Sequence, residues 1–143
     1  MLGDYLVARA FRTLREQDQG VLAPIMSEVA QRMCEGQILE IRHIGRLMSE
    51  RDYLAIVRAK TGALFGLAGR TGLITADGPP ELQAVFQQFG EEFGLAFQLA
   101  DDILDLVGTN GRSGKPQGRD LAERKSTLPV ILLAKLRIAP PAA

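Results

Sequence analysis

The stretch ELQAVFQQFGEEFGLAFQLADDILD, Glu81 to Asp105, decides how this chain folds. Leu82, Val85, Phe86, Phe89, Phe93, Ala96, Phe97 and Ala100 recur at intervals of three and four, the spacing of one helix face and not of a strand. The loop Asp77-Gly78-Pro79-Pro80 launches this helix at Glu81. It is predicted to end near Gly108, where Gly108, Asn110, Gly111, Gly114, Pro116 and Gly118 crowd into a breaker-rich loop. Its last turns change character, because Asp101, Asp102 and Asp105 sit in an otherwise apolar run. Asp101 and Asp105 share a face, Asp102 lies about 100° round, and Gln98 joins one turn earlier. Three like charges within two turns repel one another, so the pattern demands a counter-charge. Mg²⁺ supplies one: it takes hard oxygen ligands, binds through one or two carboxylates and completes its shell with water and phosphate oxygens.

Outward from that helix the same periodicity recurs. Leu2, Leu6, Ala10, Phe11 and Leu14 form a first stripe, broken near Gly20. Ile25, Val29, Met33, Gly36, Ile41, Ile44 and Met48 predict a second helix, with Pro24 in its first turn. Ser49 followed by Asp52 has the form of a helix-capping pair, with Asp in place of the usual Glu. From there Tyr53, Ile56, Val57, Lys60, Leu64, Leu67 and Ala68 lead to Gly72. A last helix is expected over Thr127 to Ile138, with Pro129 tolerated in its first turn. No segment alternates apolar and polar residues in the manner of a strand, and no repeat is visible. The reading is all-α, a bundle of five helices around one core, in a single domain spanning 1–143.

Composition narrows the function classes. The 143 residues carry 17 basic and 17 acidic side chains, 46% hydrophobic and 24% charged residues. That balance argues against disorder, and the scattered arginines argue against nucleic-acid binding. A single cysteine, Cys34, excludes an internal disulfide and fits a reducing compartment; next to Met33 it reads as a small buried hydrophobe. There is no signal-peptide pattern and no run of about 18 apolar residues, so a cytoplasmic protein without a membrane span is expected.

Phe97-Gln98-Leu99-Ala100-Asp101-Asp102-Ile103-Leu104-Asp105 resembles the second aspartate-rich motif of the trans-type polyprenyl diphosphate synthases. The likeness extends through Gly3-Asp4-Tyr5-Leu6, Ala8-Arg9-Ala10-Phe11, Glu35-Gly36-Gln37, Tyr53-Leu54, Lys60-Thr61, Gly94-Leu95-Ala96, Gly114-Lys115-Pro116, Gly118, Asp120-Leu121, Lys125 and Thr127-Leu128-Pro129, in the family's order. The match is with the middle to C-terminal part of a long-chain member, of the octaprenyl or heptaprenyl kind. It implies an isoprenoid-synthase helical bundle, and condensation of isopentenyl diphosphate onto an allylic diphosphate with Mg²⁺. Asp101 is implied as a metal ligand, with Asp102 and Asp105 supporting it directly or through water. Lys60 and Lys115 match positions that contact the allylic diphosphate, and Thr61 and Gln98 match the polar residues beside them. Asp120 and Lys125 match the loop that closes over the site. Bland alternatives stay open at each position: a solvated helix end for the aspartates, a snorkelling Lys60, an exposed Lys115, a surface pair for Asp120 and Lys125. His43, the lone histidine, reads as a core or surface residue.

The chain departs from the family in places. The first aspartate-rich motif, which normally lies shortly before the segment matched by Gly3-Asp4-Tyr5-Leu6, is not encoded here. Arg124 stands where the family usually has glycine, and Gly62 where alanine often follows Lys-Thr. The expectation is therefore a truncated synthase, lacking the N-terminal helices, inactive alone and with apolar faces left bare. The alternative is a non-catalytic or half-site subunit of a heteromeric synthase. Family members are usually dimers, so a homodimer or a heteromer is expected.

Overall fold

The computed structural model describes residues 1–17, 20–107 and 118–138, and among these there is no strand. The elements are α1 (Leu2–Gln17), α2 (Leu22–His43), α3 (Glu50–Val57), a five-residue π-helical turn (Arg58–Gly62), α4 (Ala63–Thr75), a 3₁₀ turn (Pro80–Leu82), α5 (Gln83–Val107), the short α6 (Arg119–Ala122) and α7 (Leu128–Ile138). Because α3, the π turn and α4 run on without a break, the five long helical stretches expected from periodicity are present.

Local chemistry explains the boundaries. Ser49 caps α3: its hydroxyl accepts from the Asp52 N–H at 3.1 Å and donates to the Asp52 carboxylate at 2.7 Å. Pro129 falls in the first turn of α7, where its missing N–H removes no helical bond. The second helix is shorter than its apolar stripe predicts, stopping at His43 instead of continuing to Met48. Gly45 adopts a left-handed conformation (φ 75°) and its N–H bonds the Arg124 carbonyl at 3.0 Å, which pulls the chain away from the helix axis. Met48 then enters the core from a loop. It is buried with Tyr53, Ile56, Val57 and Ile131, and Leu54, Leu95, Leu99 and Leu128 pack around them.

Cys34 corrects the sequence reading, since it is exposed. The residues of α2 that become buried are Leu22, Val29 and Gly36, spaced by sevens, and Cys34 sits on the far side of that line.

Two helices set the frame for the site. Along α4 and α5, Gly62, Gly66 and Gly69 face Gly90, Gly94 and Phe86, so the backbones approach closely. A Cβ at Gly90 would run into the Phe65 carbonyl, and one at Gly94 would lie 2.9 Å from the Gly62 Cα. This contact fixes the carboxylate end of α5 against the π turn that carries Lys60 and Thr61.

Candidate functional site

A cleft of about 440 Å³ opens where α2, α3, the π turn, α5 and the α6 segment meet. Lys60, Thr61, Gln98, Asp101, Asp102, Asp105, Asp120 and Lys125 all line it, together with apolar walls from Ile44, Met48, Ile56, Val57 and Leu104. Lys115, the remaining candidate, lies outside the described residues.

The π turn explains how two successive residues reach one cleft. The Ala63 N–H bonds back to the Arg58 carbonyl, five residues earlier, so one extra residue is accommodated in the turn. Such bulges are rare and concentrate at functional sites. Lys60 Nζ lies 2.6 Å from a Glu40 carboxylate oxygen, and the Thr61 hydroxyl donates to Gln98 Oε1 at 3.0 Å.

The three aspartates are not equivalent. Asp101 is exposed at the cleft mouth. Asp102 is only 4% exposed and points inward, accepting from the Tyr53 hydroxyl at 2.6 Å and from Gln98 Nε2 at 2.8 Å. Burial pushes the Asp102 carboxyl above the usual range, against the two hydrogen bonds that pull it down; the nearby Asp120 and Asp101 charges add to the rise. Tyr53 is pushed far above an ordinary phenol, first by burial and then by its bond to Asp102, so it keeps its proton and stays a donor. Asp105 accepts from the backbone N–H groups of Arg119 at 3.3 Å and Asp120 at 3.1 Å, and its carbonyl receives the Gly118 N–H at 3.0 Å. It thereby joins the last turns of α5 to the start of α6 at the cleft.

Opposite the aspartates stands Lys125. Its ammonium lies 2.6 Å from Glu123 and 3.4 Å from Asp120, and its pKa is raised chiefly by the Glu123 bond. The pair with Asp120 is thus real and on the cleft wall. Ser126, fully inside, accepts the Met48 N–H at 3.2 Å and anchors this wall to the core.

Among the described residues no group of three or more His, Cys, Asp or Glu side chains forms a ready-made metal site. The donor set fits a different arrangement, in which one or two carboxylates hold a hard cation whose other ligands are water and phosphate oxygens. Asp101 and Asp105 line the cleft as hard oxygen donors of that kind; Asp102 lines it too, but is 4% exposed and both its oxygens already accept from Tyr53 and Gln98.

Sequence reasoning missed several residues here. Glu40, the partner of Lys60, lies one turn beyond Gly36, whose absent side chain lets α2 approach Ala59 and Lys60; that spacing was the available signal. Tyr53 was read only for its ring. His43 lines the cleft with Nδ1 2.8 Å from the Leu39 carbonyl, and Arg119 lines it from α6. No local signal placed Arg119 there, because the contact depends on the return of the chain after residue 117.

Comparison with known proteins gives one answer. The family model described as polyprenyl synthetase matches residues 1–139. An octaprenyl diphosphate synthase of Haemophilus influenzae is 33% identical over 132 residues, covering 92% of this chain and 40% of the relative. Component 2 of a heptaprenyl diphosphate synthase from Geobacillus stearothermophilus is 34% identical, with 90% and 41% covered. A crystal structure of a polyprenyl synthase from Caulobacter crescentus, complexed with calcium and isoprenyl diphosphate, superposes with a TM-score of 0.89 at 37% identity over 96% of this chain and 42% of that one. The chain thus spans about two fifths of the length of the relatives it matches.

Proposed function

This chain belongs to the polyprenyl synthetase family, and from that membership we propose that it forms the diphosphate-gripping part of a trans-prenyltransferase site, one that condenses isopentenyl diphosphate with an allylic diphosphate to give a polyprenyl diphosphate. The observation that carries the reading is the convergence, in one cleft, of every candidate residue that falls among those described. Residues 37 to 65 positions apart in sequence meet there, which a surface scatter of charges has no reason to do.

In this reading Asp101 and Asp105 hold Mg²⁺ against the diphosphate, while Lys60 and Lys125 present ammonium groups to its oxygens. Magnesium, when bound, supplies positive charge that offsets the charge developing on the departing diphosphate. Both lysines are engaged by carboxylates, Lys60 by Glu40 and Lys125 by Glu123 and Asp120. A diphosphate therefore enters by exchanging carboxylate for phosphate on each ammonium, and the displaced carboxylates set how strongly it is held. Lys115, which lies outside the described residues, keeps the role over the same ligand that the family resemblance implies. The walls of Ile44, Met48, Ile56, Val57 and Leu104 keep water from the reactive carbon.

The test is calorimetric binding of inorganic pyrophosphate to the whole chain with and without Mg²⁺. Magnesium-dependent binding is expected, weakened at least about tenfold by Asp101→Ala. Equal binding by the two proteins overturns the reading.

A second reading, that the chain works as one subunit of an assembly, has its own observation. Phe89, Phe93 and Phe97 on α5 are each more than half exposed, a bare apolar stripe on a chain that resembles component 2 of a heptaprenyl diphosphate synthase. Sedimentation is expected to give a dimer or larger species, alone or with a family synthase added, and a monomer under both conditions counts against it.

A further inference from the structure

The buried polar chain behind the cleft has a direction. Both oxygens of Asp102 accept a hydrogen bond, one from each neighbour. Tyr53 gives its hydroxyl proton to Oδ2 at 2.6 Å, and Gln98 must therefore turn its Nε2 towards Oδ1, at 2.8 Å. That choice fixes the other end of the amide: Oε1 faces the π turn, where only a donor can satisfy it. Thr61 obliges, at 3.0 Å, and its single proton is spent inward. What Thr61 then offers to the cleft is oxygen lone pairs alone.

We propose that Tyr53 is a positioning residue, acting through Asp102 and Gln98 to fix the orientation and hydrogen-bonding polarity of Thr61 at the π turn, so that the middle carboxylate of the cluster serves as an internal anchor rather than a metal ligand. The inference deepens the proposed function and rests on it for the identity of the ligand, though not for the polarity itself. The four members come from three stretches: Tyr53 from α3, Thr61 from the π turn, Gln98 and Asp102 one turn apart on α5. The two ends of the chain are differently sheltered. Tyr53 and Asp102 are 5% and 4% exposed, while Thr61 and Gln98 are half-buried and line the cleft, so the sheltered end holds the working end. A hydrogen bond to a carboxylate in such a place is strong and costly to leave unmade. The arrangement also divides labour in the cleft. Thr61 has no proton left for a diphosphate oxygen, so donation falls to other groups of the lining, among them the ammonium groups of Lys60 and Lys125 and the guanidinium of Arg119.

Two measurements on the whole chain decide it. The first needs no ligand: hydrogen exchange of the Gln98 side-chain amide, followed by NMR. Tyr53→Phe, which keeps the ring in the core, should speed that exchange about tenfold, as loss of a charged hydrogen bond implies. Thr61→Val should do the same and Thr61→Ser should not, while the backbone amides of Gly90 and Gly94 keep their protection in all three. If Tyr53→Phe leaves the Gln98 amide unchanged, or loosens α3 and α5 uniformly, the hydroxyl is a packing contact and the proposal fails. The second is the affinity for pyrophosphate with Mg²⁺. Tyr53→Phe should weaken it, and the double variant Tyr53→Phe/Thr61→Val should bind no worse than Thr61→Val alone; independent, multiplying losses overturn the proposal. If the wild-type chain fails to bind pyrophosphate at all, the functional reading falls, and the Gln98 exchange alone then decides the positioning role.

Discussion

The two faces of α5 make opposite demands on this chain. One face, through Gly90, Gly94, Gln98 and Asp102, is met entirely from within: α4 supplies close backbone contact, Tyr53 and Thr61 supply the hydrogen bonds. The other carries Phe86, Phe89, Phe93 and Phe97 at helical spacing and leaves them between 43% and 70% exposed, although Phe65 packs against the rings of Phe93 and Phe97 at 5.4 and 5.5 Å. The contrast teaches that the cleft floor is self-sufficient while the outer stripe is left uncovered by the described residues. A helix of 25 residues, about 37 Å long at 1.5 Å per residue, presents that stripe from Phe86 to Phe97.

The largest effect is expected on the self-sufficient face. Gly90→Ala drives a methyl group into the Phe65 carbonyl, backbone against backbone, with no flexible side chain to give way. The helices must separate, at a cost of about 3 kcal/mol. A urea titration reads this as a lower midpoint, and Mg²⁺-dependent pyrophosphate binding should fall with it because Gln98 and the π turn lose register. A midpoint close to wild type would mean that α4 and α5 are not in close contact and that the two faces differ less than described.

The stripe should behave in the opposite way. Phe89 is 70% exposed and its ring lies 6.5 Å from that of Phe93. Phe89→Gln is expected to change folding stability by no more than about 0.5 kcal/mol, as surface substitutions do. Its effect should appear instead in association, with a smaller sedimenting species at micromolar concentration. Loss of folding stability comparable to Gly90→Ala would show that the stripe is packed within the chain.

This difference also explains what could be read in advance. Periodicity gave α5 and its partners because helical spacing is local, and Ser49 with Asp52 gave the start of α3 because a cap is local too. Resemblance singled out Lys60, Thr61, Gln98 and the aspartates, and these residues line one cleft. It put Asp101 ahead of Asp102 and Asp105 as a metal ligand but gave no inward bond to Asp102, since that depends on the position of Tyr53, 49 residues earlier. Periodicity gave the phenylalanines one helix face but not what covers it, because an apolar stripe looks the same whether its cover lies in the chain or beyond it. The early end of α2 was missed for a related reason: Gly45 takes its left-handed turn to meet the carbonyl of Arg124, 79 residues away.

That same contact supplies the smallest and sharpest test. Arg124 has φ 55°, a conformation in which a Cβ crowds the backbone, at the position where the family usually has glycine. The conformation is held from both sides, by the Arg124 N–H on the Leu121 carbonyl at 3.0 Å and by the Gly45 N–H on its own carbonyl at 3.0 Å, so it does not relax. Glycine removes the crowding, worth about 1 kcal/mol, but gives the unfolded chain more freedom, which takes back roughly half. Arg124→Gly should therefore raise the urea midpoint slightly, by the equivalent of about 0.5 kcal/mol, and Arg124→Ala should not, since it keeps the Cβ. Comparing the two isolates backbone strain from the loss of the guanidinium. If alanine and glycine prove equal, the backbone at Arg124 is not strained, and the bond from Gly45 holds this wall at no conformational cost.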